Sequence, residues 1–271
     1  MDLKDKVVIV TGASSGIGKA IVEELLKFGS KVVMAARNID KLQELENNYT
    51  AAGSDVLVVR TDVTVEEDCK HLIDAAVSRY GHIDVLVNNA GISMRAMFTE
   101  LKLDVIRRLM DVNFWGTVNC TKYALPYLLD VKGSVVGIIS IAGYVGLPGR
   151  TGYAASKFAV RGFLDTLRIE YIKQGLHVLV AAPGFTASNI RKEALVADGS
   201  HQGSTPRNED KMMSAEKCAS IVVKGIIKRK RSIVMTFVEG KLTVFLSKWW
   251  PSLLDRLCYA HMAKEPESPF K

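Results

Sequence analysis

Short β-branched apolar runs alternate with longer stretches of helical periodicity along the whole chain. The first run, KVVIVT, covers residues 6–11, and apolar residues at helical spacing follow it at Ile17, Ile21, Leu25 and Phe28. Further runs of the same kind cover residues 31–35, 55–60, 85–88, 134–139, 177–182 and 232–237. Seven strands that alternate with helices predict right-handed crossovers and helices on both faces. The pattern therefore predicts a doubly wound α/β sheet of about seven parallel strands.

No proline- or serine-rich linker interrupts this alternation, so we expect a single catalytic domain over residues 1–271. Ligands of such sheets bind beyond the carboxyl ends of the strands. The long irregular stretch that follows the sixth predicted strand contains several glycines and Pro206. Because long loops in compact domains are usually functional, we predict a substrate lid at about 185–213 that orders when substrate binds. A C-terminal extension is expected at about 239–271.

Composition narrows the class of protein. With 48% hydrophobic and 24% charged residues, the 271-residue chain can bury a core and is not disordered throughout. One of the two longest stretches without a charge, 133–149, is broken by five glycines and Pro148, which disfavours a transmembrane helix. The opening MDLKDKVVIVTG lacks the apolar region of a signal peptide, so we expect a cytoplasmic protein. Four scattered cysteines predict neither a disulfide framework nor a metal site.

The excess of basic residues lies at the C-terminal end. Residues 217–271 carry 11 basic and 4 acidic side chains, whereas residues 1–216 carry 25 of each. The basic run 228–231 is followed by Trp249, Trp250 and several leucines, a combination typical of segments at a membrane surface. The alternative is that the tail packs on the body of the protein or on a partner subunit, which Pro251 favours because it interrupts any single helix. Nucleic-acid binding is disfavoured, since no known nucleic-acid-binding motif accompanies the charge.

A glycine-rich turn, TGASSGIG, joins the first predicted strand to the first helix. In a Rossmann-type sheet, such a turn allows the helix N-terminus to approach and hold a pyrophosphate. Its candidate cofactor contacts are Gly12, Ser14, Ser15, Gly16, Ile17 and Gly18. Glycines here could also only cap the strand and admit close helix packing, but the position between strand and helix favours dinucleotide binding.

The residues after the next strands indicate which dinucleotide binds. Where NAD enzymes usually carry an acid, this chain has Ala36 and then Arg37, whose guanidinium can pair with the 2′-phosphate of NADP. Arg37 could also be an ordinary solvated charge. Further cofactor contacts are expected from Asp62 and Val63 beside the adenine and from Asn89, Ala90 and Gly91 beside the nicotinamide ribose. The NNAG sequence is equally compatible with a simple turn.

A serine, a tyrosine and a lysine form the candidate catalytic group. Ser140 ends the fifth predicted strand, and Tyr153 and Lys157 lie one turn apart on the next helix. A phenol has an ordinary pKa near 10, and a neighbouring ammonium favours its phenolate, so the tyrosine can exchange a proton with a carbonyl or an alcohol. Alone, this spacing is also typical of an amphipathic surface.

Taken together, TGASSGIG, NNAG, Asn113, Ser140 and YAASK, in this order over nearly the whole chain, closely resemble the short-chain dehydrogenase/reductase family. The resemblance implies that Tyr153 is the general acid/base and that Ser140 hydrogen-bonds the substrate oxygen. It also implies that Lys157 holds the nicotinamide ribose and lowers the pKa of Tyr153, and that Asn113 supports a water-linked proton relay. Tyr153 and Lys157 would both contact the cofactor.

The same resemblance implies further contacts and an assembly. Pro183 and Gly184 would lie against the nicotinamide, and Ser188 stands where the family usually has a threonine that contacts the carboxamide. Ser15 stands where some NADP-preferring members have a basic residue, so Arg37 would carry most of the discrimination. Family members commonly pair through two helices, which implies a homodimer or homotetramer through about 103–129 and 153–170.

Substrate class follows less directly. The positions expected to line the substrate side are Ser93, Met94, Ile141, Ala142, 145–147 and the start of the lid. They include no arginine or lysine, which favours a hydrophobic ketone over a phosphorylated or strongly acidic substrate. The alternative for Val145 and Leu147 is that they serve only to close the core.

The tail resembles that of the branch with 11-beta-hydroxysteroid dehydrogenases and lipid-ketone reductases. We therefore expect NADP(H)-dependent reduction of a steroid-like or long-chain ketone, by a cytoplasmic enzyme with a peripheral membrane contact as an open alternative. A catalytically silent NADP-binding sensor or scaffold is the other alternative.

Overall fold

Seven parallel strands form one sheet at the centre of the computed structural model, which describes residues 1–186, 190–203, 212–264, 268 and 270. The strands are β1 (Val7–Thr11), β2 (Lys31–Ala36), β3 (Val56–Arg60), β4 (Val85–Asn88), β5 (Ser134–Ile138), β6 (His177–Ala182) and β7 (Ser232–Val234). Their order across the sheet is β3-β2-β1-β4-β5-β6-β7, with every pair parallel. The predicted doubly wound fold is confirmed.

Nine α-helices connect and extend the strands of the described chain. They are α1 (Gly16–Lys27), α2 (Ile39–Ala51), α3 (Glu66–Tyr80), α4 (Leu103–Leu109), α5 (Gly116–Asp130), α6 (Thr151–Glu170), α7 (Ala215–Ile227), α8 (Thr243–Trp249) and α9 (Pro251–Ala263). A π-helical turn, Met110–Trp115, joins α4 to α5, and a second, Phe237–Leu242, precedes α8. No helix among the described residues is long and apolar enough to cross a membrane.

Alternation along the strands produces two cores, one on each face of the sheet. In β1, which is buried throughout, Val7 and Ile9 belong to the core under α3, α5 and α6, while Val8 and Val10 belong to the core under α1, α2 and α7. Successive strand side chains point to opposite faces, and a sheet covered by helices on both sides buries all of them. This explains why the strands appear in the sequence as unbroken apolar runs.

The order of strands reverses between β1 and β4, and hydrogen bonds join the two strand ends there. The Thr11 hydroxyl accepts hydrogen bonds from the amides of Asn89 and Ala90, each at 3.0 Å. The Asn89 side-chain amide donates to the carbonyl of Thr11 at 2.9 Å. A crevice at such a reversal is the usual ligand site of open α/β sheets. The NNAG segment therefore has a structural role in shaping this crevice.

One strand boundary differs from expectation, and part of the segment predicted as a lid is packed. The last strand ends at Val234, not at 237, because Thr236 adopts a φ of 62° and the π-helical turn starts directly after it. Leu195, near the centre of the predicted lid 185–213, is fully buried, and its carbonyl accepts a hydrogen bond from the Arg95 amide at 2.8 Å. This part of the segment therefore packs on the body, and ordering on substrate binding stays a prediction. Residues 187–189 and 204–211 of the same segment lie outside the described residues.

Candidate active site

The glycine turn has a geometry that side chains would prevent. Gly12 and Gly16 have φ values of 66° and 54°, a region that favours glycine. A Cβ on Gly18 would lie 2.2 Å from the carbonyl oxygen of Gly12. Helix α1 can therefore begin this close to β1 only because residue 18 is a glycine. Helix α1 has no acid in its first turn and Ser15 makes no side-chain cap, so the N-terminal amides suit an anion such as a pyrophosphate.

A cleft of about 710 Å³ extends from this turn along the carboxyl ends of β1, β2, β3 and β4. The predicted cofactor residues that line it are Gly12, Ser14, Ser15, Gly16, Ile17, Gly18, Arg37, Asp62, Val63, Asn89, Ala90 and Gly91. Its volume lies in the range of cofactor sites, and its glycine cradle fits a dinucleotide. Ile190, Glu193 and His201, from the segment predicted as a lid, also line the cleft, and the sequence analysis did not include them.

Arg37 lies exposed at the end of β2, directly at this cleft. Among the described residues it has no acidic partner, whereas Arg60 at the end of β3 lies 3.6 Å from Asp68. Asn38 is occupied as the cap of α2, where its side chain accepts a hydrogen bond from the Lys41 amide at 3.0 Å. Asp40 also lines the cleft, so the surroundings of Arg37 are not purely basic.

Ser140, Tyr153 and Lys157 converge on a second, smaller cavity of about 110 Å³, which Pro183 and Gly184 also line. Tyr153 is only 8% exposed, and burial raises its pKa above the ordinary value. A side-chain hydrogen bond with Ser140 and the charge of Arg150 act in the opposite direction. The serine and the tyrosine thus form one hydrogen-bonded pair facing the cavity. Ser188, the remaining predicted cofactor contact, lies outside the described residues.

Lys157 is held by a backbone carbonyl one helical turn after Tyr153. Its ammonium donates to the carbonyl of Ile138 at 3.0 Å and lies 5.9 Å from the centre of the Tyr153 ring. Burial lowers the pKa of Lys157 to about 8. The charge of Arg150 lowers the pKa of Tyr153, and the sequence motif gave no sign of this because Arg150 lies before the helix that carries the motif. The roles that the resemblance implies for Lys157, on the pKa of Tyr153 and at the nicotinamide ribose, stay predictions.

Asn113 lies in the π-helical turn between α4 and α5 and joins three parts of the site. Its side-chain oxygen accepts from the Ile92 amide at 2.8 Å, while its amide donates to the Ile92 carbonyl at 3.0 Å and to the Ser156 hydroxyl at 2.8 Å. A Cβ on Gly91 would lie 3.0 Å from the Asn113 oxygen and 3.3 Å from the Lys157 nitrogen. Asn113 therefore positions the NNAG segment against the helix that carries Tyr153 and Lys157.

A third cavity, of about 380 Å³, connects the catalytic residues to the C-terminal segment. It shares five lining residues with the catalytic cavity: Ser140, Leu147, Arg150, Gly184 and Phe185. The other wall is supplied by the π-helical turn, α8 and α9, through Val238, Leu242, Leu246, Leu254, Leu257, Cys258 and Met262, among others. The inner side of the tail thus packs over the catalytic end of the sheet, which agrees with the alternative that the tail packs on the body of the protein, although the sequence did not indicate which surface it covers.

The residues expected on the substrate side divide into two groups. Ser93, Ile141 and Leu147 line one of the two cavities, whereas Met94, Ala142 and Val145 are buried in the cores. Two basic residues outside the named positions, Arg150 and Arg191, also line the catalytic cavity. Among the described residues, no group of three or more His, Cys, Asp or Glu side chains is arranged to hold a metal ion.

Comparisons with known proteins agree with this geometry. The short chain dehydrogenase family profile matches residues 6–199. The chain is 33% identical to mouse "Dehydrogenase/reductase SDR family member 7B" (98% of this chain, 84% of the relative) and 34% identical to "11-beta-hydroxysteroid dehydrogenase A" of Sesamum indicum (98% and 79%). A solved short chain dehydrogenase/reductase from Burkholderia phymatum in complex with NAD superposes with a TM-score of 0.76 at 25% identity, over 86% of this chain and 89% of that one.

Fold, glycine cradle and catalytic cavity are thus accompanied by a family match over most of the chain. A further solved structure, an alcohol dehydrogenase from Thermococcus sibiricus complexed with 5-hydroxy-NADP, shares the fold with a TM-score of 0.73 at 23% identity, over 85% of this chain and 95% of that one. The chain belongs to the short-chain dehydrogenase/reductase family of nicotinamide-dependent, hydride-transferring oxidoreductases, in the branch of the 7B and 11-beta-hydroxysteroid dehydrogenase-like proteins.

Proposed function

We propose that this enzyme uses NADPH to reduce a hydrophobic ketone to a secondary alcohol. The observation that carries the proposal is the position of Ser140 and Tyr153. They face the small cavity that meets the cofactor cleft on one side, with Gly91, Asn89 and Ile17 lining both, and the apolar cavity under the tail on the other. A carbonyl held there has its oxygen near two hydroxyl groups and its apolar substituents away from water.

The chain's own residues supply the proton and orient the substrate. Bound NADPH supplies the hydride that adds to the carbonyl carbon. Ser140 holds the carbonyl oxygen by a hydrogen bond, and the phenol of Tyr153 donates its proton to that oxygen as the alcohol forms. Because burial raises the pKa of Tyr153, the free enzyme keeps the phenol protonated at neutral pH. This protonation state suits reduction, which needs an acid, better than oxidation, which needs a phenolate.

Lys157 and Asn113 complete the site in separate ways. Because burial lowers the pKa of Lys157 to about 8, the lysine can release and regain a proton near physiological pH. Its nitrogen lies beside Gly91, at the edge of the cofactor cleft, where it can bind the nicotinamide ribose. Asn113 fixes the surrounding backbone through its bonds with Ile92 and Ser156.

The preference for NADP(H) rests on Arg37. Its exposed guanidinium lines the cleft directly after β2. The strand ends with Ala36, so the acidic residue that NAD enzymes usually carry at this position is missing. A charge-assisted pair with a 2′-phosphate contributes roughly 1.5–3 kcal/mol, which is about ten- to more than a hundredfold in affinity.

The outer surface of the tail suits the interface of a membrane. Phe245, Trp249, Trp250 and Leu253 are each about half exposed or more. Lys248 and Arg256 lie on α8 and α9, and Lys241 lies on the π-helical turn before them. Leu257 is 49% exposed and also lines the apolar cavity, so the mouth of that cavity adjoins the exposed apolar surface. We include in the proposal a peripheral contact with anionic lipid, through which a lipid-soluble ketone reaches the site.

An assembly of two or four copies is also part of the proposal. Trp115 and Phe158 are 51% and 43% exposed, beside α5 and on α6, the elements named by the family resemblance. Burying such side chains against a second copy removes apolar surface from water. Sedimentation at micromolar concentration should show a species of at least twice 29.7 kDa, and a single 29.7 kDa species would contradict this part.

The test of the proposed reaction is a carbonyl panel assayed with NADPH and with NADH. The panel spans steroid ketones, long-chain alkanones and small aldehydes, and the readout is loss of absorbance of the reduced nicotinamide. We expect turnover of hydrophobic ketones with NADPH. Binding of NADPH without turnover of any carbonyl, and without oxidation of the matching alcohols, would instead favour a cofactor sensor.

A further inference from the structure

Arg150 lies at the junction between the catalytic cavity and the apolar cavity under the tail. It lines both, together with Ser140, and it immediately precedes α6, the helix that carries Tyr153. The proposed reaction gives this arginine no contact with the substrate. A cation at this junction nevertheless faces any substrate whose carbonyl lies at Ser140.

The contacts of Arg150 leave its charge without an acidic partner in the described part of the chain. Its guanidinium donates to the hydroxyl of Ser93 at 2.7 Å, and no described Asp or Glu pairs with it. Burial lowers the pKa of Arg150; the phenol of Tyr153 counters this effect, whereas the charges of Arg95 and Arg191 add to it. Holding a largely buried cation beside a neutral hydroxyl costs free energy, which a bound anion would offset.

A second arginine lies near this junction. Arg191 lines the catalytic cavity, is buried, and donates to the Thr186 carbonyl at 3.1 Å. Lys157 lies deeper, at the carbonyl of Ile138. Glu239, an acid that lines the apolar cavity, is exposed on the π-helical turn, and His261 lies on α9. The Arg150 guanidinium therefore lies next to the catalytic hydroxyls, and the rest of the described lining of the apolar cavity is mainly aliphatic.

We propose that Arg150 binds an oxyanion of the substrate, so that the preferred substrate is an amphiphilic ketone with a carboxylate or phosphate near its carbonyl and an apolar chain under the tail. This inference rests on the proposed function and narrows its substrate class. A guanidinium forms two parallel hydrogen bonds with a planar carboxylate and binds phosphate equally well by geometry. Oxyanion and chain together would fix which carbon of the substrate faces the cofactor cleft.

The first experiment compares substrates that differ only in charge. The probes are 4-, 5- and 6-oxododecanoate, their methyl esters, and a long-chain hydroxyketone phosphate with its uncharged parent. We expect kcat/KM with NADPH to be at least tenfold higher for one or more of the anions than for its neutral counterpart, mainly through KM. Comparing the carboxylate probes with the phosphate probe shows which of the two oxyanions the site prefers. Equal values for every charged and neutral pair would overturn the inference.

The second experiment assigns the preference to Arg150. Arg150→Gln should lower the ratio of kcat/KM for the preferred anion to kcat/KM for its neutral counterpart tenfold or more, apart from any change through Tyr153 that both substrates share. Arg107→Gln removes an exposed arginine that lines none of the three cavities and should leave both values unchanged. If Arg150→Gln lowers kcat/KM for both substrates equally, the arginine acts on Tyr153 or on the fold, and the inference is wrong.

A binding measurement separates this inference from the proposed reaction. Calorimetric titration of Tyr153→Phe with the same probes, in the presence of NADP⁺, requires no turnover. Tighter binding of the anion, lost on adding Arg150→Gln, supports the oxyanion site even if no probe is reduced by the wild-type enzyme. Equal binding of anion and neutral counterpart, in a protein that does reduce ketones, would remove the oxyanion site and leave the reaction intact.

Discussion

The ammonium of Lys157 donates to the carbonyl of Ile138, 3.0 Å away, and not to the phenol of Tyr153 one helical turn earlier. The bond ties α6 to the end of β5, directly before Ser140. Lysine and serine are thereby held at the same strand end. We expect the burial of this lysine to affect stability as well as catalysis.

We predict that Lys157→Met stabilises the cofactor-free protein at pH 7 and that this gain disappears at high pH. Burial lowers the pKa of Lys157 to about 8 from about 10.5, so the unfolded state binds more protons between these values and stability rises with pH. Below pH 8 the buried charge costs up to about 3 kcal/mol, partly offset by its hydrogen bond. Thermal unfolding of both proteins from pH 7 to 10.5 tests this, and a constant difference in melting temperature would contradict it.

Tyr153→Phe should keep cofactor binding and lose turnover by about a hundredfold or more, because a buried phenol that donates a proton is replaced by a ring that cannot. Steady-state kinetics and a fluorescence titration with NADPH measure the two effects. Tyr171→Phe is the matched control, since Tyr171 ends the same helix and lines none of the three cavities. Turnover retained by Tyr153→Phe would show that another group donates the proton.

Arg37→Ala should weaken NADPH binding about tenfold or more while leaving NADH binding within about twofold, because only NADPH carries the phosphate that the guanidinium meets. Calorimetric titrations with both cofactors provide the comparison. Arg60→Ala removes the arginine that ends the neighbouring strand and pairs with Asp68, and it should affect neither cofactor strongly. Equal loss for both cofactors in Arg37→Ala would argue for a structural role.

Co-sedimentation should show that the protein binds anionic vesicles and does not bind neutral ones. High salt should weaken the binding to anionic vesicles. The double substitution Trp249→Ser, Trp250→Ser should reduce this binding about tenfold or more, because two half-exposed indoles no longer enter the lipid interface. Ile172→Ser, at an equally exposed apolar residue after α6, is the control and should bind like the wild type. Wild-type protein that stays in the supernatant with both vesicles would leave the tail as a wall of the cavity alone.

The sheet could be predicted from sequence because its evidence is local. Runs such as VVIVT in β1 are buried on both faces, and the glycines at 12, 16 and 18 are required by the turn itself. The interruption of the predicted helix at 103–129 by a π-helical turn at Asn113 could not be predicted, since Asn113 makes its bonds to Ile92 and Ser156, both distant in sequence.

The neighbours of the catalytic motif were equally hidden. Arg150 precedes Tyr153 by three residues, yet its pairing with Ser93 and its place between two cavities depend on contacts across 57 residues or more. The apolar residues of the tail were visible in the sequence, but which of them would contact the catalytic end of the sheet depends on where α8 and α9 dock. Both the contacts of Arg150 and the docking of the tail depend on long-range packing, which the periodicity of the sequence does not indicate.

The cavity under the tail draws its far wall from residues 238–262, beyond the family match at 6–199, whereas the described lining of the cofactor cleft ends at His201. In the proposed function, the wall for the apolar part of the substrate and the catalytic residues are therefore encoded by separate stretches of the same gene. We expect mutations in the final segment to change which apolar chain is accepted without disturbing hydride transfer, so that related enzymes could diversify by exchanging tails. A chimaera that carries a relative's last 35 or so residues on this body would inherit the relative's preference along with them.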